Sequence, residues 1–183
     1  MREFLENDIV HLIILLITMT IMILSFKLKN CILLNKFIPV YKYDFLTGLE
    51  LRQDFDKKIT KLMKEATPFY ISLIDINDLH SINKQLGYRA GDEVIKEVAN
   101  DISKLLKKIK NLNIYRIGGD EFIVISQDDI NHQLDQLAKA SYATAYFNGD
   151  KDYNALFDEI DQAVMLVKKQ KIIKGEFQDR RQH

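Results

Sequence analysis

Asp75, Asp120 and Glu121 are the residues whose types and placement suggest chemistry. The segment from Asn113 to Ile125 reads NIYRIGGDEFIVI. Two glycines and two adjacent acids interrupt a run whose β-branched and aromatic content is that of strand. A hairpin needs a turn at that point. Gly118 and Gly119 can take a positive φ, and they leave the backbone open to close approach by a ligand. A turn does not need two carboxylates. A third acid, Asp75, lies near the end of FYISLIDI, where apolar alternation should stop. If that strand pairs beside the hairpin, Asp75 meets Asp120 or Glu121 at one edge of a sheet. Carboxylates a few Å apart in a partly buried place repel, and they persist only if protonated or bridged by a cation. All-oxygen ligands favour Mg²⁺ or Mn²⁺. Two such ions suit phosphoryl transfer, one activating a hydroxyl and both stabilising charge at phosphorus. Ordinary turn acids are the alternative that the same residues allow. The stretch DINDLHSINKQLG is not a calcium loop, because its sixth position is His80 rather than glycine.

These residues need elements to carry them. LRQDFDKKITKLMKEA (51–66) has apolar residues at Leu51, Phe55, Ile59, Leu62 and Met63, a helical stripe. Pro68 separates it from the strand FYISLIDI. AGDEVIKEVANDISKLLKKI predicts a second helix, with Val94, Ile95, Val98, Ile102, Leu105 and Leu106 on one face. NIYRI and FIVIS are strands. INHQLDQLAKA reads as a short helix, SYATAYF as a strand and YNALFDEIDQAVMLVKKQ as the last helix. The order is helix, strand, helix, hairpin, helix, strand, helix. That is an α+β plan: a ferredoxin-like central sheet with surrounding helices.

The first forty residues differ. IVHLIILLITMTIMILSFKL (9–28) carries no formal charge before Lys27. About 20 residues at helical rise match a hydrocarbon core of about 30 Å. A secretory signal would want a basic start and a small-residue cleavage site. Here Arg2 is outweighed by Glu3, Glu6 and Asp8, and no such site follows. The expected organisation is a tail (1–8), a transmembrane helix (9–28), a connector (29–43) in which Pro39 breaks the helix, one domain (44–175) and a tail (176–183). Lys27 lies at the end of the span and Lys29, Lys36 and Lys42 follow it, while only Arg2 precedes it, which is expected to put the domain in the cytoplasm of a single-pass protein of the cytoplasmic membrane. With little chain outside, no extracellular sensor domain is expected, and a membrane sensor partner is one candidate to supply the signal.

Composition sets limits. Of 183 residues, 47% are hydrophobic and 28% charged, which suits an ordered protein rather than a disordered one. Formal net charge is zero, so nothing global points to a nucleic acid polymer as partner. Lys168, Lys169, Lys171, Lys174, Arg180 and Arg181 cluster near the end, as a solvated helix face and tail would. Cys31 is the single cysteine, which excludes an intrachain disulfide and a Cys-rich zinc site.

Gly118–Phe122, read as GGDEF, is the name-giving signature of the GGDEF diguanylate cyclases, and the rest of the chain resembles that family in order. DFLTGL (44–49) is similar to its opening motif, DINDLHSINKQLGYRAGDEVI to its metal- and guanine-holding segment, RIGGDEF to its hairpin, and DQAVMLVK (161–168) to its last helix. The resemblance spans about 41–175. It implies a nucleotide-cyclase-like palm that condenses two GTP into cyclic di-GMP, using two Mg²⁺ or Mn²⁺ per active site at a homodimer interface. Asp75 and Asp120 would hold the metals with the carbonyl of Ile76. Glu121 would be a metal ligand or help activate the 3′-hydroxyl. Asn83 and Asp92 would read guanine. Gly118 and Gly119 would carry the α and β phosphates. Lys168 would grip the terminal phosphates, and His80 stands where the family usually has a phosphate-contacting lysine.

The chain departs from the family pattern at several places. Ile172 replaces an arginine, for which Lys169, Lys171 or Lys174 offers an ammonium without the bidentate fork. Leu51 replaces an asparagine, and the stretch 126–141 is short. The inhibitory RxxD positions are Ile109 and Leu112, so product feedback at that site is not expected. Two alternatives follow: a catalytically weak or silent GTP-binding and dimerisation module, and a palm-type synthase of another cyclic oligonucleotide.

Overall fold

A computed structural model describes residues 2–37 and 42–175 of the protein. It divides into two units, Met1–Tyr41 and Lys42–His183. The first is helix α1, Arg2–Phe37. Its window Ile13–Asn30 has a mean hydropathy of 1.7, and none of it is buried within the protein's own fold. Among the described residues this is the one helix long and apolar enough to cross a membrane. The helix continues through much of the expected connector because no glycine or proline interrupts it before Phe37. The expected break at Pro39 lies outside the described residues, as does the tail 176–183.

The second unit contains β1 (Glu50–Leu51), α2 (Arg52–Lys64), β2 (Phe69–Ile76), α3 (Leu79–Leu86), α4 (Tyr88–Leu106), β3 (Asn113–Arg116), β4 (Glu121–Ser126), α5 (Asn131–Leu134), β5 (Ala140–Phe147) and α6 (Tyr153–Ile173). The sheet order is β1-β3-β4-β2-β5. The pairs β3–β4, β4–β2 and β2–β5 are antiparallel, which gives the ferredoxin-like core read from the sequence.

Strand periodicity divides the core into two layers. Phe69, Ile71 and Leu73 of β2, with Ile123 and Ile125 of β4, pack against α2 and α6. Ile74 and Ile76, with Phe122 and Val124, pack against α3, α4 and α5. Both faces of β2 are covered, so it is apolar at nearly every position. Its one acid, Asp75, is partly buried and follows Leu73 onto the α6 side.

Three local features differ from the sequence reading. Leu51 is not helical: Glu50–Leu51 pairs in parallel with Tyr115–Arg116, and Leu51 caps α2 in an extended conformation. The stretch after β2 forms its own helix, α3, which is separated from α4 by Gly87 at φ 84°, where a side chain would be strained. Helix α5 is only Asn131–Leu134, because Leu134, Leu137 and Ala140 are buried in succession as the chain returns to the sheet.

Candidate active site

The antiparallel register of β2 and β4 sets Asp75 directly opposite Glu121. Side chains on such cross-strand pairs project to the same face. Glu121 precedes Ile123 and Ile125 in the alternation, so it shares the α6 side with Asp75. Burial and the neighbouring charges of Asp75, Asp120 and Asp161 push the Glu121 carboxyl above its usual proton affinity, and Arg52 opposes them. The carbonyl of Asp120 accepts a hydrogen bond from the Ile76 amide at 3.0 Å, which binds the hairpin to the end of β2.

Helix α6 reaches the same place. Leu156, Ile160 and Val164 are its buried residues, four apart, and Lys168 is the next step of that stripe. Its Nζ lies 2.5 Å from Asp75 Oδ1, with the side chains 16% and 19% exposed. Lys171, one turn on, donates to the Ala140 carbonyl at 2.8 Å. Asp152 fixes the start of α6 by accepting a hydrogen bond from the Ala155 amide at 2.8 Å.

The hairpin is held from behind. Arg116 donates to Asp44 at 2.9 Å and to the Gly119 carbonyl at 2.8 Å. Neither Gly118 nor Gly119 has a positive φ, contrary to the turn chemistry expected of them. A Cβ at Gly118 would stand 2.6 Å from Glu121 Oε2, so that carboxylate would have to shift to admit a side chain. A Cβ on Gly119 would meet nothing within 4 Å.

His80, Asn83 and Asp92 lie on α3 and α4, in the other helical layer. The amide of Asn83 rests against Gly91, where a Cβ would fall 1.9 Å from Asn83 Oδ1. That oxygen is buried and has no hydrogen-bond partner. Asp92 is exposed in the second turn of α4, beyond the first turn where a helix end stabilises an acid. His80 is exposed on α3.

The structure therefore brings together Asp75, Glu121 and Lys168, with Asp120 and Asp161 in electrostatic reach, and sets Asn83 beside Gly91. His80 and Asp92 are exposed on the same two helices that carry Asn83 and Gly91. Among the described residues, no three His, Cys, Asp or Glu side chains gather as a ready ligand set. Asp75 and Glu121 nevertheless oppose each other as oxygen donors, and the lysine seated on Asp75 marks a place that favours positive charge, so their chemistry suits a cation. Asp161 and Arg52 were not singled out from the sequence. Asp161 precedes Lys168 by seven residues, a spacing that returns to one helix face and was a readable signal.

Residues 41–143, more than half of the chain, match the family model described as "Diguanylate cyclase, GGDEF domain". The chain belongs to the GGDEF family. Other GGDEF proteins of known structure share its fold. The GGDEF domain of DgcB from Caulobacter crescentus, solved with c-di-GMP, superposes with a TM-score of 0.63 at 20% identity, covering 71% of this chain and 91% of that one. The FimX GGDEF domain from Pseudomonas aeruginosa gives 0.65 at 14% identity, covering 72% and 96%. Diguanylate cyclase SiaD from Pseudomonas aeruginosa, solved with its activator SiaC, gives 0.62 at 17%, covering 82% and 68%. An uncharacterized membrane protein of Staphylococcus aureus (strain USA300) is 34% identical over 113 residues, 58% of this chain. The match spans only 30% of that relative's length.

Proposed function

We propose that this GGDEF protein is a membrane-anchored diguanylate cyclase that joins two GTP into cyclic di-GMP and releases two pyrophosphates. The observation that carries this reading is Asp75 opposite Glu121 at the GGDEF hairpin, in surroundings that raise the proton affinity of Glu121. Asp75, Asp120, Glu121 and the carbonyl of Ile76 would hold the Mg²⁺ or Mn²⁺ ions, two per site. Once bound, such ions neutralise charge at the α-phosphate and ease loss of the 3′-hydroxyl proton.

The remaining residues bind and orient GTP. The buried, unpartnered Oδ1 of Asn83 suits a donor on the purine edge. Asp92 accepts the guanine N1–H and exocyclic amine, a donor pair adenine lacks. The backbone at Gly118 and Gly119 carries the α and β phosphates. Lys168 and His80 take the terminal ones. Each protomer holds one GTP, so the homodimer sets the 3′-hydroxyl of one against the α-phosphorus of the other. The new P–O bond forms as the bond to the β-phosphate oxygen breaks, the hydroxyl proton leaves toward Glu121, and pyrophosphate departs. The same exchange in the opposite direction closes the ring.

Helix α1 anchors the protein, and the lysines that follow its span place the cyclase unit on the cytoplasmic side. Tethering raises the effective concentration of the two protomers. A membrane sensor partner would supply the signal.

A second reading is a GTP-binding and dimerisation module without turnover, which the Lys168–Asp75 ion pair favours because it engages a metal ligand. The 183-residue chain in detergent, incubated with GTP and Mg²⁺, separates the two. The cyclase yields cyclic di-GMP identified by mass. The module binds GTP saturably and yields no dinucleotide.

A further inference from the structure

Lys168 is placed by the apolar stripe of α6 rather than by a polar network of its own. Val164 anchors the helix in the core one turn earlier, and the stripe then carries Lys168 over the strand end that bears Asp75. The ion pair it makes there is largely enclosed, and Glu121 stands beside it across the ladder. An enclosed carboxylate left without its cation is costly. A second cation that takes Asp75 therefore competes with Lys168 for it.

We propose that Lys168 is an internal counter-ion for Asp75, surrendered when a divalent cation binds, so that one ammonium couples metal binding to phosphate binding. This rests on the reading of Asp75 as a metal ligand. Without nucleotide, Lys168 keeps Asp75 and divalent binding is weak. With a triphosphate present, the released ammonium gains phosphate oxygens as new partners, and each ligand strengthens the other reciprocally.

Mn²⁺ binding to the full chain in detergent, followed by the electron paramagnetic resonance of the free ion, tests this. Without nucleotide, Lys168→Met is expected to bind Mn²⁺ about tenfold tighter than the wild type, a typical size for coupling between sites. Lys58→Met removes the same charge from an exposed position on α2 and is expected to change affinity less than about twofold, as screened surface charges do. Lys168→Arg keeps the charge with a carboxylate-gripping fork and is expected to weaken Mn²⁺ binding, which decides the matter should Lys168→Met fail to fold. A non-hydrolysable GTP analogue is expected to tighten Mn²⁺ binding in the wild type more than in Lys168→Met. Equal tightening by Lys168→Met and Lys58→Met, or none by Lys168→Met, overturns the counter-ion role and leaves the metal site standing. No Mn²⁺ binding in any variant, with or without the analogue, removes Asp75 as a ligand and the metal reading with it.

Discussion

Arg116 and Asp44, 72 residues apart in sequence, form an ion pair at 2.9 Å whose side chains are 13% and 11% exposed. The same guanidinium holds the Gly119 carbonyl, so the turn that opens the GGDEF unit and the hairpin that carries Asp120 and Glu121 share one clamp. Asp44 also accepts from the Thr47 amide and hydroxyl, at 2.9 and 2.7 Å. Arg116→Met is expected to cost about 2–3 kcal/mol, because it leaves a shielded carboxylate without its guanidinium and with only the Thr47 bonds. Chemical denaturation of the full chain in detergent measures this. A loss no larger than that of a surface substitution would show the clamp to be incidental.

The same pair predicts a pH dependence. Burial pushes the Asp44 carboxyl up, but hydrogen bonds from Thr47 and Arg116 together outweigh it and hold the group below its usual range. A carboxyl depressed in the folded state stabilises above its unfolded pKa, and that stability is lost as pH falls through the folded value. The stability gap between wild type and Asp44→Asn should be full at neutral pH and should narrow below the ordinary carboxylate range. A gap that stays constant with pH would mean that charge at Asp44 contributes nothing.

Gly91 determines where the Asn83 amide can lie. Alanine normally favours a helix over glycine by about 1 kcal/mol. Here its Cβ would collide with Asn83 Oδ1. Gly91→Ala should therefore leave α4 intact by circular dichroism and weaken binding of a GTP analogue by about tenfold, the scale of one lost hydrogen bond to the base. Unchanged affinity in calorimetry would remove Asn83 from base recognition.

Gly118 and Gly119 are adjacent and unequal. Alanine at Gly118 displaces the Glu121 carboxylate, whereas alanine at Gly119 meets no neighbour. Nucleotide-free Mn²⁺ affinity should fall severalfold, about 1 kcal/mol, in Gly118→Ala and hold in Gly119→Ala. The reverse order would place the metal away from Glu121.

Much of this was legible in the sequence for definite reasons. FYISLIDI, set off by Pro68, reads as a strand, and an acid where its apolar alternation stops pointed to a partner if that strand paired beside the hairpin. The Gly118–Glu121 turn offered Asp120 or Glu121 as that partner, and the register of β2 and β4 decides for Glu121. What could not be read is what depends on distant pairing. Leu51 reads as the first residue of an amphipathic helix until Tyr115 and Arg116 offer it a parallel partner. The glycines of the hairpin read as turn residues, while the space that Gly118 leaves for Glu121 exists only once β4 is laid down. Lys168 reads as one of several lysines on a solvated face. Its seat on Asp75 follows from counting back along Val164, Ile160 and Leu156 to the core, which needs the core to be known.

The most direct measurement is anomalous diffraction from crystals of the full chain grown with Mn²⁺ and a non-hydrolysable GTP analogue. The account predicts a manganese peak bonded to Asp75, near Glu121 and the phosphates, with Lys168 moved from the carboxylate to the triphosphate. Nucleotide bound with no peak at Asp75, and Lys168 still paired to it, would contradict the cyclase proposal.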